Sequence, residues 1–522
     1  MPVAVRRALL LLLSALVCAA LIALARQAAD APATSDMAVI ESYTLLASRA
    51  ELLLGAYSRF QWHHPGPLYF YLLAPFYALS GEKTAGLDAG AAAIAMGSLA
   101  LIAAVLFRRR ASLAVLAAGS VALLAWRAAE ATASPWNPHV PLLPMAALVL
   151  AAANVTAGRA WLLPAVALLA SLAGQAHVAM LPCALALAAV PFVRAVASAV
   201  VRGHDRLLWR SSLLATLVAL LAAWALPLYE QVTGAPRGNI SELWLFFVKQ
   251  TRPGQTLPAA VSAWADMLSG VLRPDFYVAH GWPFVESPVL WAEWATLGAL
   301  ALVVLFAWRG LRRRDHFDTA LGGLLLLGAA MSLWSTTRIA ETIFDHDIFW
   351  MAAIGALMLA VAADVVLSSL GGRLVTSSGP AGRVACALLL GAAAAAPAGE
   401  VDAAARRSMA PTAEAGVAQA LASDLETYLV QQGISRPLVK IDQEAWGVAA
   451  GAILALQKRG TIVSVEEDWV VMFTPAFRAT GREDAVITVA MPPEHLRLAA
   501  RGVRTISSHG PIYAHAERPS VQ

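Results

Sequence analysis

The sequence is poor in charged residues. Of 522 residues, Lys and Arg contribute 38 and Asp and Glu 34, so charged residues make up 14% of the chain, whereas apolar residues make up 59%. The mean hydropathy is +0.64. Soluble globular domains carry about 25% charged residues, so the composition excludes that class and predicts an integral membrane protein. The net charge of +4 implies no nucleic-acid partner.

Cysteine is also scarce, and several familiar motifs are missing. Cys18, Cys183 and Cys386 all lie inside apolar runs, which excludes a disulfide framework and a cysteine metal site. The sequence has no GxGxxG after a strand, no Walker motif, and no HxH or HExxH spacing. The energy for any reaction must therefore come from the substrate, for example an activated lipid. We predict no metal ligands and no firmly bound cofactor, and a divalent cation stays open as an alternative.

Long apolar runs predict a polytopic membrane protein of about eleven transmembrane helices. Arginine clusters at Arg108, Arg194, Arg309 and Arg383 are expected on the cytoplasmic side. This rule places the N-terminus inside and gives crossings near residues 8–25, 89–107, 111–127, 140–157, 160–176, 178–193, 211–228, 288–308, 317–335, 346–368 and 383–397.

One apolar run does not fit this count. Leu68 to Ser80 is too short to span a bilayer core of about 30 Å, and a crossing there would move the Arg108 cluster outside. We therefore predict an interfacial helix within a long first outer loop, residues 26–88. The stretch from Ser35 to Gly55 has leucines at helical spacing and predicts an amphipathic helix on the outer face, with Ser35 or Asp36 as its N-cap.

The composition changes near the C-terminus. Residues 1–400 form the predicted membrane domain, 401–415 a linker, and 416–522 a small extracytoplasmic α/β domain. Within that domain "EAWGVAAGAILALQKRG" predicts a helix that ends at a glycine, and four segments predict strands: "PLVKI", "WVVMF", "DAVITVA" and "PIYAHA". The predicted fold is thus mainly α with one small α/β domain.

Polar residues collect in the outer loops of this topology, and ionisable groups near a membrane often mark function. Asp36 is also compatible with a helix cap, and His63 and His64 with ordinary interfacial histidines. Gln175 and His177 are as compatible with bonding the backbone at a turn, and Arg338 with reaching for lipid headgroups. The candidates are Asp36, Glu41, Arg59, His63, His64, Asn137, His139, Gln175, His177, Arg252 and Arg338.

The first loop resembles a known class. An acidic residue at the start of a loop helix in "SDMAVIE", followed by "FQWHHPGPLYFYLLAPF", resembles the GT-C membrane glycosyltransferases. It is similar to the protein O-mannosyltransferases and the lipid A aminoarabinose transferases, and most of all to a bacterial branch of the class. The resemblance implies a GT-C fold and, for Asp36, the role of activating the acceptor, with Glu41 as the second carboxylate. His64 and Pro65 match the start of the family's His-Pro-Pro motif.

The resemblance further implies transfer of a hexose or a pentose from a polyprenyl-phosphate-linked donor, with inversion at the anomeric carbon. It also implies that the acceptor is a lipid, a glycan or a protein of the envelope and that the protein resides in a bacterial cytoplasmic (inner) membrane. Arg338, with Arg59 and Arg252 in reserve, is expected to hold the phosphate. Two alternatives stay open: a lipid or solute transporter or flippase, and a non-catalytic membrane scaffold.

Overall fold

The computed structural model describes residues 3–30, 32–201, 205–249, 252–286, 291–370, 380–410 and 412–517, with the backbone alone for residues 3–11. The described chain is mainly helical. The helices are α1 (Val3–Gln27), α2 (Ser35–Ser48), α3 (Leu68–Leu79), α4 (Ala85–Leu106), α5 (Ala111–Arg127), α6 (Ala129–Ala133), α7 (Leu142–Thr156), α8 (Leu163–Ala176), α9 (Leu181–Val200), α10 (Arg206–Thr233), α11 (Asn239–Lys249), α12 (Leu257–Ser269), α13 (Ala292–Arg313), α14 (His316–Thr337), α15 (Asp345–Ile348), α16 (Met351–Ser369), α17 (Pro380–Arg407), α18 (Ala413–Gln432), α19 (Trp446–Lys458), α20 (Glu467–Phe473) and α21 (Pro492–Ala500). The strands are β1 (Pro437–Ile441), β2 (Ser464–Val465), β3 (Ala485–Ala490), β4 (Arg504–His509) and β5 (Ile512–Glu517).

The predicted membrane crossings all coincide with helices of the structure. Among the described residues, 7 helices are long and apolar enough to cross a membrane, and the others that match a predicted crossing are shorter apolar helices. The predicted crossing at 288–308 begins in residues outside the described ranges, and its helix α13 starts at Ala292. The protein is a multi-pass membrane protein, and the count of eleven crossings stays a prediction.

The described chain divides into two compact units. The helical unit contains residues 64–69 and 91–400, and the mixed unit contains residues 1–63, 70–90 and 401–522. The segments of the first loop thus belong mostly to the same unit as the C-terminal segment. The boundaries predicted from the sequence, at residues 400 and 415, stay a proposal, although α17 continues as a helix to Arg407.

The core of the helical unit is built around α7. Every residue of this helix from Leu142 to Val155 is buried, and its neighbours are α8, α9, α14 and α16. A helix that is apolar all round is typical of a position surrounded by protein. Helices α10 and α13 instead bury only 22% of their most apolar windows, so they lie at the rim of this unit.

An ionic contact ties three helices of the helical unit together. Arg110, at the N-terminal end of α5, lies 3.0 Å from Asp318 of α14 and 2.7 Å from Asp364 of α16. Both carboxylates are almost completely buried. An arginine that predicts membrane orientation from the sequence therefore also holds helices together, since a buried carboxylate needs a cation beside it.

A close crossing of α12 and α16 yields a first prediction. A Cβ atom added to Gly355 of α16 would lie 2.0 Å from the backbone oxygen of Leu268, and a backbone atom cannot move aside as a side-chain end can. We expect Gly355→Ala to destabilise the protein by about 1–3 kcal/mol or more, the usual range for overpacking. The measurement is thermal unfolding of the purified protein in detergent.

The control for this prediction is Gly391→Ala in α17, where an added Cβ meets nothing within 4 Å. Alanine is the better helix former, so this variant should be as stable as the original protein or slightly more so. Equal melting temperatures for the two variants would contradict the proposed close crossing.

The mixed unit contains one five-stranded sheet with the strand order β2-β1-β3-β5-β4. β1 pairs in parallel with β2 and β3, whereas β5 is antiparallel to both β3 and β4. Helix α18 packs against α19 and β4, and α19 also packs against α2 of the first loop. The predicted strands at "PLVKI", "DAVITVA" and "PIYAHA" and the predicted helix at α19 are confirmed.

The strand predicted at "WVVMF" is wrong, because these residues belong to helix α20. Glu467 and Asp468 in the first turn favour a helix N-terminus. Val470 and Phe473, three residues apart, are the buried side chains, which is helical spacing. A short apolar run does not by itself distinguish a buried strand from a helix.

Helix α2 also differs from the prediction. Every residue from Ala38 to Ala47 is buried, so this part of the helix is not amphipathic but covered on all sides. Its N-cap is Thr34, rather than Ser35 or Asp36, and no side chain caps it. The helix predicted from the periodic leucines is confirmed. The periodicity does not show that α19 packs against α2 and covers its polar face.

Candidate functional site

Asp36 lies in the first turn of α2 and is partly exposed. Its Oδ1 accepts a hydrogen bond from the hydroxyl of Tyr57. Burial and the neighbouring carboxylate raise the pKa of Tyr57 above its usual range, so this hydroxyl stays protonated and continues to donate. Asp36 is therefore an oriented carboxylate, and it does not cap the helix that carries it.

Glu41, one and a half turns further along α2, has a different environment. Its side chain is 0% exposed. Oε1 accepts from the Tyr77 hydroxyl at 3.0 Å and from Lys458 Nζ at 3.0 Å, and Oε2 accepts from Thr84 at 2.7 Å. Burial lowers the pKa of Lys458, but Glu41 and Asp30 more than offset this and raise it above its usual value. Both oxygens of Glu41 are thus engaged inside the mixed unit.

The other two candidates in the mixed unit lie between α2 and α3 in the chain. Arg59 is exposed, and its guanidinium lies 4.8 Å from the centre of the Phe60 ring. His63 is buried, and burial lowers its pKa to about 4 against a smaller opposing effect of the Val471 backbone. His63 is therefore neutral at physiological pH.

Four candidates of the helical unit meet at the turn between α8 and α9. The fully buried Gln175 accepts from the Leu68 N–H at 3.1 Å and donates to the Ala223 carbonyl at 2.8 Å. Asn137 donates to the Ala176 carbonyl at 2.9 Å. His64 Nδ1 accepts from the Val178 N–H at 3.1 Å, and its ring centre lies 4.5 Å from that of His177. The sequence predicted these residues separately, and the structure brings them together.

A side chain larger than hydrogen does not fit beside this turn. A Cβ atom on Gly66 would lie 2.4 Å from Gln175 Oε1 and 2.5 Å from Pro227. The space at this position therefore accommodates a glycine.

His177 is also part of a second group, which we call the His-His-Asp triad: His177, His346 and Asp347. Each residue offers one possible metal-binding atom, a ring nitrogen or a carboxylate oxygen, and these three atoms lie within 4.8 Å of one another. Asp347 Oδ1 lies 3.8 Å from His177 Nε2 and 3.7 Å from His346 Nε2. These are residue types and spacings that can hold a metal ion.

The segment that carries His346 and Asp347 is held by the loop before α13. The Asp345 N–H donates to the Trp282 carbonyl, and the Phe284 N–H donates to the Ile343 carbonyl. The Asp345 carboxylate accepts from the N–H groups of His280 and Gly281, both at 2.9 Å. Burial raises the pKa of Asp345, but His346 and these hydrogen bonds lower it by more, so the net pKa lies below its usual range.

The remaining candidates of the helical unit lie apart from the turn. Buried His139 donates from Nε2 to the Ala279 carbonyl at 2.8 Å, and burial lowers its pKa to about 4. Arg252 forms an exposed ion pair with Glu341 at 3.2 Å. Arg338 is exposed at the end of α14. Gln255 donates to the carbonyls of Ile339 and Glu341, so the segments of the two arginines run side by side.

Several residues of this site were not among the sequence candidates: His346, Asp347, their supporting Asp345, and Asn239, which donates to the His64 carbonyl at 3.3 Å. The triplet Asp345-His346-Asp347 contains three ligand-type residues in succession and was the available signal. Its partner His177 is far away in the chain, so no local spacing reveals the triad.

No protein-family model and no curated protein matches the sequence. Among solved structures, the chain is similar to the crystal structure of ArnT from Cupriavidus metallidurans bound to undecaprenyl phosphate, with 13% identity, 98% of each chain covered and a TM-score of 0.51. It is also similar to the archaeal oligosaccharyltransferase AglB from Archaeoglobus fulgidus in complex with an inhibitory peptide and a dolichol-phosphate. That match has 13% identity, covers 91% of this chain and 69% of the other, and has a TM-score of 0.38.

ArnT, a lipid A aminoarabinose transferase, is a member of the GT-C superfamily. The likeness to it extends over both units, because it covers nearly the whole chain. At this low identity it informs on the fold and not on the reaction. The protein is a multi-pass membrane protein with the GT-C fold.

Proposed function

We propose that the protein is a glycosyltransferase that moves a sugar from a polyprenyl-phosphate-linked donor to an envelope acceptor. The reaction would take place on the outer face of the bacterial cytoplasmic membrane, with the N-terminus inside and the C-terminal α/β domain outside. Support comes from the fold shared with ArnT, which was crystallised bound to undecaprenyl phosphate.

The observation that carries the proposal is the setting of Asp36. It is a partly exposed carboxylate, it leaves the helix cap unmade, and the Tyr57 hydroxyl fixes one of its oxygens. A carboxylate with one oxygen oriented and solvent within reach is suited to act as a general base. We assign it the proton of the acceptor's nucleophilic group.

The bond changes then balance without a redox partner. The acceptor oxygen or nitrogen forms the new bond to the anomeric carbon while its proton passes to Asp36. The bond between that carbon and the phosphate oxygen breaks, and polyprenyl phosphate leaves as an anion with the electron pair. Attack from the side opposite the phosphate would invert the anomeric carbon.

The departing phosphate needs positive charge nearby. Arg338 and Arg252 are the proposed cations, because both are exposed and stand on neighbouring segments of the helical unit. Arg252 already pairs with Glu341, an exposed contact of the kind that contributes about 1 kcal/mol or less and is readily exchanged for a phosphate. Arg59 remains a reserve in the mixed unit.

The other candidates receive supporting roles in this proposal. Glu41 is a positioning residue, because its oxygens are occupied and its side chain is inaccessible. Gln175 and Asn137 fix the turn before α9 through backbone contacts. His64 and His177 present their rings at that turn, and His63 and His139 are buried neutral groups.

The test is transfer by the purified protein in proteoliposomes. The probes are undecaprenyl-phosphate-linked pentose and hexose carrying a radiolabelled sugar, and the acceptor is envelope material from a strain that lacks the gene. We expect label in the acceptor fraction together with release of undecaprenyl phosphate. Envelope material from the parent strain, whose acceptor sites are already occupied, should take up less label.

Sealed vesicles without acceptor provide the opposing outcome. If the labelled donor crosses the membrane there, and no labelled acceptor forms when envelope material is added, the protein is a transporter or flippase and the proposal is wrong.

A further inference from the structure

We propose that the His-His-Asp triad is a binding site for a divalent transition metal ion, best matched by Zn²⁺. The ligands are His177 Nε2, His346 Nε2 and Asp347 Oδ1. The inference does not rest on the proposed sugar transfer, although His177 also belongs to the turn that has a supporting role there.

The distances fit such an ion after a small contraction. Zn–N bonds are about 2.0–2.1 Å long, so neighbouring ligand atoms in a tetrahedral zinc site lie about 3.4 Å apart. Asp347 Oδ1 lies 3.8 Å and 3.7 Å from the two imidazole nitrogens, and the three ligand atoms lie within 4.8 Å of one another. The two Asp347 distances need to shorten by about 0.3–0.4 Å, and the widest pair of ligand atoms by at most about 1.4 Å, which rotation of the side chains can supply.

Two of the three ligands, Asp347 and His346, also have a polar neighbour at the atom that does not face the ion. Asp347 uses its second oxygen, Oδ2, to accept from the Phe344 N–H at 3.1 Å, which leaves Oδ1 facing the two histidines. His346 turns Nδ1 toward Asp345, whose Oδ1 is 3.6 Å away. A carboxylate behind a metal-binding histidine is a common arrangement, because it sets the tautomer and the direction of the ring.

The support continues one step further out. Asp345 is 1% exposed and is itself fixed by the N–H groups of His280 and Gly281. The ring of Trp136 lies edge-on to His346 with centres 5.2 Å apart, and the ring of His64 lies against His177. The site therefore has a rigid polar support and aromatic walls.

The ligand set leaves room for a further ligand. Two histidines and one carboxylate supply three protein ligands, and zinc sites of that kind keep a fourth position for water or an oxygen anion. The side chains of His346 and Asp347 are 22% and 14% exposed, against 8% for His177. The open position therefore faces the side where His346 and Asp347 are accessible. Imidazole ligands favour zinc over magnesium and calcium, which prefer oxygen ligands alone.

The experiment measures metal binding by the full-length protein without a histidine tag. The protein is stripped with EDTA, reloaded with Zn²⁺, Mn²⁺ or Mg²⁺, and analysed by mass spectrometry for bound metal and by titration for affinity. We expect one Zn²⁺ per chain and no saturable Mg²⁺ binding. X-ray absorption of the zinc-loaded protein should give two imidazole nitrogens with the remaining ligands oxygen.

Variants separate ligands from supports. His346→Ala and Asp347→Asn should lose the stoichiometric zinc, whereas Asp345→Asn should keep it with about 10- to 100-fold weaker affinity, as is usual for an outer carboxylate. His316→Ala removes an exposed histidine at the start of α14 and should bind zinc as the unaltered protein does.

Any of three results overturns the proposal. One is the absence of a saturable zinc site in the unaltered protein after stripping and reloading, which would leave His177, His346 and Asp347 as an ordinary ion-pair group. The second is a zinc site whose absorption spectrum lacks imidazole ligands, and the third is a zinc site that persists unchanged in His346→Ala. The measurements on the unaltered protein stand even if a variant fails to fold.

Discussion

Replacement of Asp36 by Asn is expected to lower the rate of sugar transfer by about 100- to 10,000-fold, the usual contribution of a general base. Asparagine has the same shape and can still accept from the Tyr57 hydroxyl through its amide oxygen. The change therefore removes the proton acceptor and little else. Donor binding, measured with undecaprenyl phosphate as the probe, and the melting temperature should both stay close to their original values.

The matched control is Glu51→Gln, which neutralises an exposed carboxylate of the same loop and unit. It should transfer sugar at the original rate. If Asp36→Asn is folded and retains full transfer activity, Asp36 is not the base and its bond to Tyr57 is only structural.

The second large effect is expected for Lys458→Met. This change leaves the Glu41 carboxylate, which is 0% exposed, without the cation 3.0 Å from it. Removing one partner of a buried ion pair costs about 3–5 kcal/mol, because the other charge remains buried without compensation. We expect a correspondingly lower melting temperature of the purified protein, followed by tryptophan fluorescence in detergent.

Two further variants define the cause. Lys440→Met breaks an exposed ion pair with Glu466 in the same mixed unit. This change should lower the free energy of unfolding by about 1 kcal/mol or less. The double variant Glu41→Gln with Lys458→Met removes both charges and should recover a large part of the stability lost in Lys458→Met alone. Additive losses would mean that the two side chains are not coupled.

The pH range of this ion pair follows from the direction of the Lys458 pKa. The folded value is raised above the ordinary 10.5, so the lysine binds its proton more tightly in the folded protein. Its contribution to stability is then fully present below the ordinary value and is lost only as the pH rises through the higher folded value. The stability difference between Lys458→Met and the original protein should be constant at neutral pH and shrink in strong alkali.

The membrane part was predictable because its signal is local. Each crossing predicted from apolar length and the placement of arginine coincides with a helix, and the short helix α3 was also expected. The cap of α2, the burial of its polar face and the helix at "WVVMF" were not, because each depends on neighbours distant in the chain. Local periodicity says how a segment repeats and not what covers it.

The candidate site shows the same division. Gln175 and His177 were expected at a turn, and the structure adds His64 and Asn137 beside them. The triad required His177 to meet His346 and Asp347 from a different loop. Glu41 was a candidate from the sequence, but its cation is Lys458, 417 positions away. No rule of spacing connects residues at such distances.

The contact between α2 and α19 also bears on how the chain is made. The ribosome adds about 5–20 residues per second, so roughly 20–80 s separate the synthesis of Glu41 from that of Lys458. During that interval α2 exists without the helix that later covers it. In a nascent chain that stops before α19, helix α2 with its acidic residues therefore stays uncovered. Quality-control proteases would then find the first loop of the truncated chain accessible.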